Sequence, residues 1–349
     1  MAGVSWPSLL SRLLAGESLS AQDTSWAMTE IMSGAATSAQ IAAFAVALRA
    51  KGENANEIGG LVHGMLEHAE PLTVSGRVVD TCGTGGDRAA TVNISTLSAL
   101  VVRGAGATVV KHGNRAASSA CGSADLLEEF GVVIDLPPAS VASCLAEAGI
   151  AFCFARVFHP ALRFAGDARA EIGVPTFFNI LGPLANPARP AAQAVGVAHE
   201  PLAAVMAGVL AERGTDALVF RGTDGLDELS VSAPSRVWVV SEGQVREDSL
   251  DPAALGIPAA APDALRGGDA AVNAAISQRF LDGEKGAVRD AVLLNAAAGL
   301  VAYDGPSAAP IADQIAAALP RAEESLDSGK AAEALETWIT ASRAASIAD

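Results

Sequence analysis

The chain has 349 residues, long enough for one large domain and a smaller one. Half of the residues are hydrophobic, 4 % are aromatic and 18 % are charged, so alanine, valine and leucine must build the core and wholesale disorder is excluded. A net charge of −16 argues against a nucleic-acid binder, which needs a basic face for phosphates.

The elements follow in chain order. Met1 to Glu17 lacks a basic start before its apolar stretch and is not read as a signal peptide. Leu9 to Glu70 reads as helices. Leu9, Leu10, Leu13 and Leu14 form one apolar stripe, and Ser20 and Asp23 are candidate caps before the next helix. Helices opening at Ser38 and at Asn56-Glu57 carry Ile41, Phe44 and Leu48, then Ile58, Leu61, Val62 and Met65. Pro71 ends this pattern, giving a helical domain over residues 1–70 whose apolar face is expected to serve a homodimer. From residue 71 to 349 strands and helices alternate. Strands are predicted at Val78–Asp80, Thr108–Lys111, Val132–Ile134, Ala151–Phe154, Ala194–Val197, Ala217–Phe220 and Val237–Val240. Helical runs between them include Ser140–Ala148, Leu202–Glu212 and Ala287–Ala302. The fold class is therefore α/β: a small helical domain plus a larger one with a mostly parallel sheet flanked by helices. The Ala/Pro-rich stretch 250–268 is expected to be a surface excursion.

Cys82, Cys121, Cys144 and Cys153 form no C-x-x-C pair and sit among apolar or glycine neighbours, as expected of thiols in a reducing cytoplasm. No apolar run reaches the ~18 residues of a membrane span.

Chemistry concentrates in three places. After Val78-Val79 comes Asp80-Thr81-Cys82-Gly83-Thr84-Gly85-Gly86-Asp87, followed by Thr91 and Asn93-Ile94-Ser95-Thr96 at the start of a helix. Three glycines in four positions admit a ligand close to the backbone, and successive amides with a helix N-terminus suit polyphosphate. Asp87 within such a loop points to sugar hydroxyls or the water shell of magnesium. The second place is Lys111-His112-Gly113-Asn114-Arg115-Ala116-Ala117-Ser118-Ser119, before the helix that starts at Ser123. Two cations, a Gly-Asn apex and serines at a helix start suit a phosphate as well. The third is Asp224-Gly225-Leu226-Asp227-Glu228, where adjacent carboxylates repel unless a hard cation or water separates them.

With Asn179-Ile180-Leu181-Gly182-Pro183-Leu184 and Asn186-Pro187, these motifs resemble those of anthranilate phosphoribosyltransferases, in the same order and over about residues 9–300. The resemblance implies a phosphoribosyltransferase fold of the nucleoside phosphorylase class, in which residues 158–187 return to the helical domain. It implies transfer of phosphoribosyl from phosphoribosyl pyrophosphate (PRPP) to the amine of anthranilate, in tryptophan biosynthesis. PRPP is then held by Gly83, Thr84, Gly85, Gly86, Asp87, Thr91, Asn93, Ile94, Ser95, Thr96, Lys111, His112, Gly113, Asn114, Arg115, Ala116, Ala117, Ser118, Ser119 and Ser123, with Lys111 catalytic. Anthranilate is held by Gly83, His112, Asn114, Pro160 and Arg169, and Mg²⁺, as two ions, by Ser95, Asp227 and Glu228. His159 is expected to be a capping or core histidine. An Arg169 paired with Asp167 or Glu171 on a helix surface is the plainer alternative. Many members carry a second basic residue at the position of Ala170 and a histidine at that of Phe164. A pyrimidine nucleoside phosphorylase and a non-catalytic or altered-acceptor paralogue are the rival expectations, and association with anthranilate synthase is left open.

Overall fold

The structure, a computed structural model, describes residues 4–116, 120–261 and 263–347. Four helices open it: α1 (Trp6–Leu14), α2 (Ala21–Met32), α3 (Ser38–Lys51) and α4 (Ala55–Glu67). Each of the last three starts with a reciprocal cap. Ser20 pairs with Asp23, Thr37 with Gln40 and Asn54 with Glu57, each side chain satisfying the other's exposed amide. The caps at Thr37 and Asn54 lie one and two residues before the predicted helix starts. Of the apolar faces read from the sequence, Leu9, Met28, Ile31, Phe44, Leu48, Ile58 and Leu61 are fully inside, whereas Leu14, assigned to the first stripe, is exposed at the end of α1.

The rest alternates as expected. It runs β1 (Val79–Gly83), α5 (Ile94–Gly104), β2 (Val109–Gly113), α6 (Ser123–Phe130), α7 (Pro138–Ala148), β3 (Ile150–Phe154), α8 (Ala155–Phe158), α9 (Gly166–Ile172), α10 (Leu181–Leu184), β4 (Ala192–Gly196) and α11 (Glu200–Glu212). It continues through β5 (Asp216–Gly222), β6 (Ser235–Ser241), β7 (Gln244–Leu250), α12 (Ala270–Leu281), α13 (Ala287–Asp304), α14 (Ile311–Asp327) and α15 (Lys330–Ile347). The strands form one sheet in the order β3-β2-β1-β4-β5-β6-β7. The pairs among the first five are parallel, and β6 and β7 are antiparallel additions at one edge.

Alternate residues of each strand feed opposite faces. Leu218 and Phe220 of β5 join Val237 and Val239 of β6 in a core with α5 and α13. Ala217, Val219, Trp238 and Val240 join the other face, where α11 continues into the core of the first four helices. The strand order reverses between β1 and β4, so both strands end at the crevice where doubly wound sheets bind ligands. Their last residues, Gly83 and Gly196, are register partners.

Two expectations need correction. Val132–Ile134 is not a strand: the Val132 amide caps α6 through Leu127, and the Val133 amide bonds to the Ser342 hydroxyl. Strand β7 was not predicted, because Gln244–Leu250 is a polar edge strand without an apolar repeat. The stretch 250–268 is mostly exposed, as expected of a surface excursion, but it is pinned to the glycine loop near its end. Leu265 is buried, Arg266 bridges Thr91, and the Val92 amide donates to the Leu265 carbonyl at 2.9 Å.

Glu57 ties the helical region together. Its fully buried carboxylate accepts from the Leu19 amide at 2.9 Å, Lys51 Nζ at 2.8 Å and the Asn54 amide at 3.0 Å. Removing one partner of a buried pair costs about 3–5 kcal/mol, whereas replacing both by apolar groups is often neutral. Glu57→Ala should therefore unfold at markedly lower urea, and Glu57→Gln, which keeps an acceptor oxygen for a backbone amide, should lose less. Equal urea midpoints for Glu57→Ala and the parent would show that the pair holds nothing.

Candidate active site

The acidic turn after β5 packs directly onto the two glycine strand ends. A Cβ at Gly196 would lie 1.6 Å from the Asp227 carbonyl oxygen, and one at Gly83 would lie 2.5 Å from Asp227 Oδ2. Any larger residue at either strand end would displace the turn. Asp227 Oδ2 accepts the Gly85 amide at 2.7 Å, joining the turn to the glycine loop. Gly85 and Gly86 have φ of +66° and +90°, values that glycine adopts without strain. Arg88 and Ala90, at +62° and +52°, do so at a cost, and such strain concentrates at functional loops. Thr84 anchors the loop to β4: its amide donates to the Gly196 carbonyl at 3.0 Å and its hydroxyl accepts the Ala198 amide at 3.1 Å. Asp87 Oδ1 accepts the Ala89 amide at 3.2 Å, and its Oδ2 is buried without a partner.

Lys111 is almost completely buried, which no solvated basic loop would require. Its Nζ donates to the Thr81 carbonyl at 2.5 Å and to Ser95 Oγ at 3.2 Å. The Ser95 amide donates to Glu228. Ser95 therefore joins Lys111 to the acidic turn. Burial and the neighbouring Asp87 charge push the Asp227 carboxyl above the usual range. Burial and the charge of Asp227 do the same to Glu228, with Lys111 opposing. Two buried carboxylates with one ammonium lack positive charge, and the unpartnered Asp87 oxygen adds to that deficit. A divalent cation fits this donor set. Among the described residues no group of three or more His, Cys, Asp or Glu forms a closed metal cage. That suits magnesium, which takes one or two carboxylates and completes its shell with water and substrate phosphates.

Asn93 Oδ1 accepts from Asn273 at 2.8 Å, and its Nδ2 donates to the Cys121 carbonyl at 3.1 Å. Thr91 bridges Arg266. Ile94 and Thr96 are buried in the first turn of α5, and the Thr96 hydroxyl has no partner. Gly113 is required by packing, since a Cβ there would meet Ser123 Oγ at 2.3 Å. The Ser123 hydroxyl donates to the Asn114 carbonyl at 3.4 Å. Arg115 pairs with Asp125 and Glu128 and lies 5.7 Å over the Phe154 ring, and the Ala116 amide also bonds to Asp125. Ala117, Ser118 and Ser119 lie outside the described residues.

His112 and His159 meet edge to face, their centroids 5.1 Å apart. Burial and the neighbouring His159 bring His112 down to about 3, and burial brings His159 down to about 4, so both rings are neutral at pH 7. His112 Nδ1 then donates to the Gly182 carbonyl and His159 Nε2 to the Ala185 carbonyl, each at 2.8 Å. That leaves His112 Nε2 and His159 Nδ1 as buried acceptors without partners. His159 is the core histidine the sequence suggested. Pro160 starts a 3-10 turn, Pro160–Ala165, in which Arg163 stacks 4.5 Å over Phe164 and Phe164 rests on Gly34 at the end of α2. Arg169 lies 5.2 Å over the Phe178 ring and pairs with neither Asp167 nor Glu171 among the described residues. Burial and the Asp80 charge push the Cys82 thiol well up, which disfavours its thiolate.

Four supporting residues were given no role from the sequence, although Asp80 and Asn186 lie within its motifs. Asp80 is fully buried, accepts the His112 amide at 3.3 Å and Asn186 Nδ2 at 2.9 Å, and is pushed up to about 6 by burial against the pull of Lys111. Asn186 also donates to the Val110 carbonyl at 2.8 Å, locking β1 and β2 to the segment before β4. Gly196 and Asn295 are the others. The signal for Asn295 is a lone amide within the apolar run Leu293–Ala298.

Residues 7–69 match the helical bundle domain of the glycosyl transferase family, and residues 75–332 match its a/b domain. A protein of Streptomyces griseus subsp. griseus named anthranilate phosphoribosyltransferase is 60 % identical over 344 residues, covering 99 % of this chain and 97 % of that one. One of Thermobifida fusca with the same name is 57 % identical, covering 97 % of each. The crystal structure of anthranilate phosphoribosyltransferase from Thermus thermophilus superposes with a TM-score of 0.89 at 41 % identity, covering 96 % of this chain and 99 % of that one. The Saccharomyces cerevisiae enzyme in complex with PRPP and Mg does so at 0.87 and 26 %, covering 97 % and 98 %. With two-domain matches and full-length relatives at this identity, the chain belongs to the anthranilate phosphoribosyltransferase family of glycosyl transferases.

Proposed function

We propose that the chain transfers the 5-phosphoribosyl group of PRPP to the amine of anthranilate, giving N-(5-phosphoribosyl)anthranilate and pyrophosphate in tryptophan biosynthesis. The observation that carries this reading is the junction of the glycine loop, Ser95, buried Lys111 and the Asp227–Glu228 turn at the point where the strand order reverses. The relatives' names support it over a nucleoside phosphorylase or a non-catalytic paralogue.

In this reading the loop Gly83–Asp87, with Thr91, Asn93–Thr96 and Lys111–Ser119, binds PRPP. Asp227, Glu228 and Ser95 hold Mg²⁺, two ions being our assignment. When bound, magnesium supplies charge neutralisation at the departing pyrophosphate. Lys111 adds a fixed cation behind Ser95, and the loop amides orient the phosphates without reorganisation. Gly83, His112, Asn114, Pro160 and Arg169 form the acceptor side, where Arg169, free of an acidic partner, takes the carboxylate. His112 does not serve as general base, because its pKa of about 3 makes it a weak one at neutral pH. Its unpartnered Nε2 can still accept an N–H of the arylamine, which is neutral at that pH and needs little activation. Catalysis then rests on alignment and electrostatics.

The same reading divides the chain into residues 1–70, with 158–187 returning to them, and 71–349. Contact of Phe177 with Phe44 of α3 at 5.7 Å supports the return. A homodimer is supported by Leu14 and Val46, exposed apolar side chains on α1 and α3. A cytoplasmic location is supported by four cysteines without a disulfide.

Lys111→Ala should lower kcat/KM for PRPP on the order of 10²-fold. Near-native turnover at low PRPP would remove Lys111 from the machinery. Arg169→Ala loses a charge-assisted bond worth about 1.5–3 kcal/mol, roughly 10- to 100-fold in anthranilate KM, with little change for PRPP. Aniline, which has the amine but no carboxylate, sharpens the test: the parent should discriminate against it and the variant should lose much of that discrimination. An equal fall on both acceptors would make the arginine structural.

A further inference from the structure

We propose that Asn295 of α13 is a positioning residue for the cation-binding turn, holding the backbone beside Asp227–Glu228 so that both carboxylates keep their aim. Asn295 Oδ1 accepts the Leu229 amide at 2.9 Å, and Asn295 Nδ2 donates to the Leu229 carbonyl at 3.0 Å. The same Nδ2 donates to the Ala291 carbonyl one helical turn back, at 2.9 Å, so the amide is itself held in place. One side chain thus grips both polar groups of the residue that follows Glu228. It is 3 % exposed, and Leu294 and Ala296–Ala298 around it are fully buried.

The turn needs such a grip. Asp227 and Glu228 belong to neither a helix nor a strand, and adjacent buried carboxylates repel each other towards solvent. Glycine at 83 and 196 gives the turn room to approach but does not hold it. Leu229, fully buried, anchors it by apolar contact, and Asn295 fixes its rotation about the chain. Asn295 also lines, with Glu228, Ser95, Ser98 and Thr81, one small cavity of about 10 Å³. An aliphatic residue would suit the alanine-rich surroundings but would leave two backbone groups of Leu229 unpaired. Groups that orient ligating side chains typically change metal affinity 10- to 100-fold when removed.

This inference rests on the reading of Asp227–Glu228 as the magnesium seat, and the experiment separates the two. PRPP is titrated calorimetrically into the full chain over a series of Mg²⁺ concentrations, giving the Mg²⁺ level for half-maximal PRPP affinity. Asn295→Ser can still bond to the Ala291 carbonyl but is too short for Leu229. It should need about 10- to 100-fold more Mg²⁺, with turnover restored when Mg²⁺ saturates. Ser325→Ala, which loses a buried bond to the Val101 carbonyl far along the chain, should be destabilised with an unshifted Mg²⁺ midpoint. Asn295→Asp keeps the acceptor for the Leu229 amide and loses both donated bonds. It too should weaken the response, although simple attraction of an added carboxylate would strengthen it, and it serves if the serine variant does not fold. An unshifted midpoint in both Asn295 variants, or an equal shift in Ser325→Ala, overturns the positioning role. If Asp227→Asn with Glu228→Gln leaves the midpoint unchanged, the magnesium seat itself falls, and the role of Asn295 falls with it.

Discussion

The structure depends on burying an acidic turn where two parallel strands end. Asp227 sits against Gly83 and Gly196, buried Lys111 favours the charged form of Glu228, and neither carboxylate reaches solvent freely. Burial of this kind is expensive for a protein without its cation, since it raises both acids. The neighbouring residues follow from that constraint. The strand ends must be glycine, the loop amide of Gly85 must turn inward, and Ser95 must link amide and hydroxyl to opposite charges.

A second buried network backs the first. Asp80, three residues before Gly83 on β1, joins that strand to the His112 amide on β2 and to Asn186 before β4. His112 on β2 bonds to the Gly182 carbonyl, and His159, just after α8, bonds to the Ala185 carbonyl. The segment between β3 and β4 is thereby fixed to the sheet at one end, while Phe177 and Phe164 pack it on the first four helices at the other. Phe164 packs against Gly34 at the end of α2.

Much of the site was legible because its residue types are chemically odd where they stand. A carboxylate in a glycine loop, a lysine ending a β-branched strand, and paired acids after an apolar run all demand an explanation. Supporting groups were illegible because their partners are distant in sequence. Asn295 and Leu229 are 66 residues apart, and Asn186 and Asp80 are 106 apart. Gly196 reads as an ordinary strand-end glycine until the Asp227 carbonyl appears beside it. The α/β alternation was legible from apolar runs, and it failed where that signal misleads. Val132–Ile134 has the composition of a strand but spends its amides on α6 and Ser342, and β7 is a strand without the composition.

The central claim is that this acidic turn and the glycine loop together make a magnesium-dependent phosphoribosyl transfer site. The most direct measurement follows anthranilate fluorescence with the purified chain under four conditions: no addition, PRPP alone with a chelator, Mg²⁺ alone, and both. The account predicts loss of fluorescence with both, and none in the other three. Equal loss with PRPP in the presence of chelator, or no loss with both present, would contradict it.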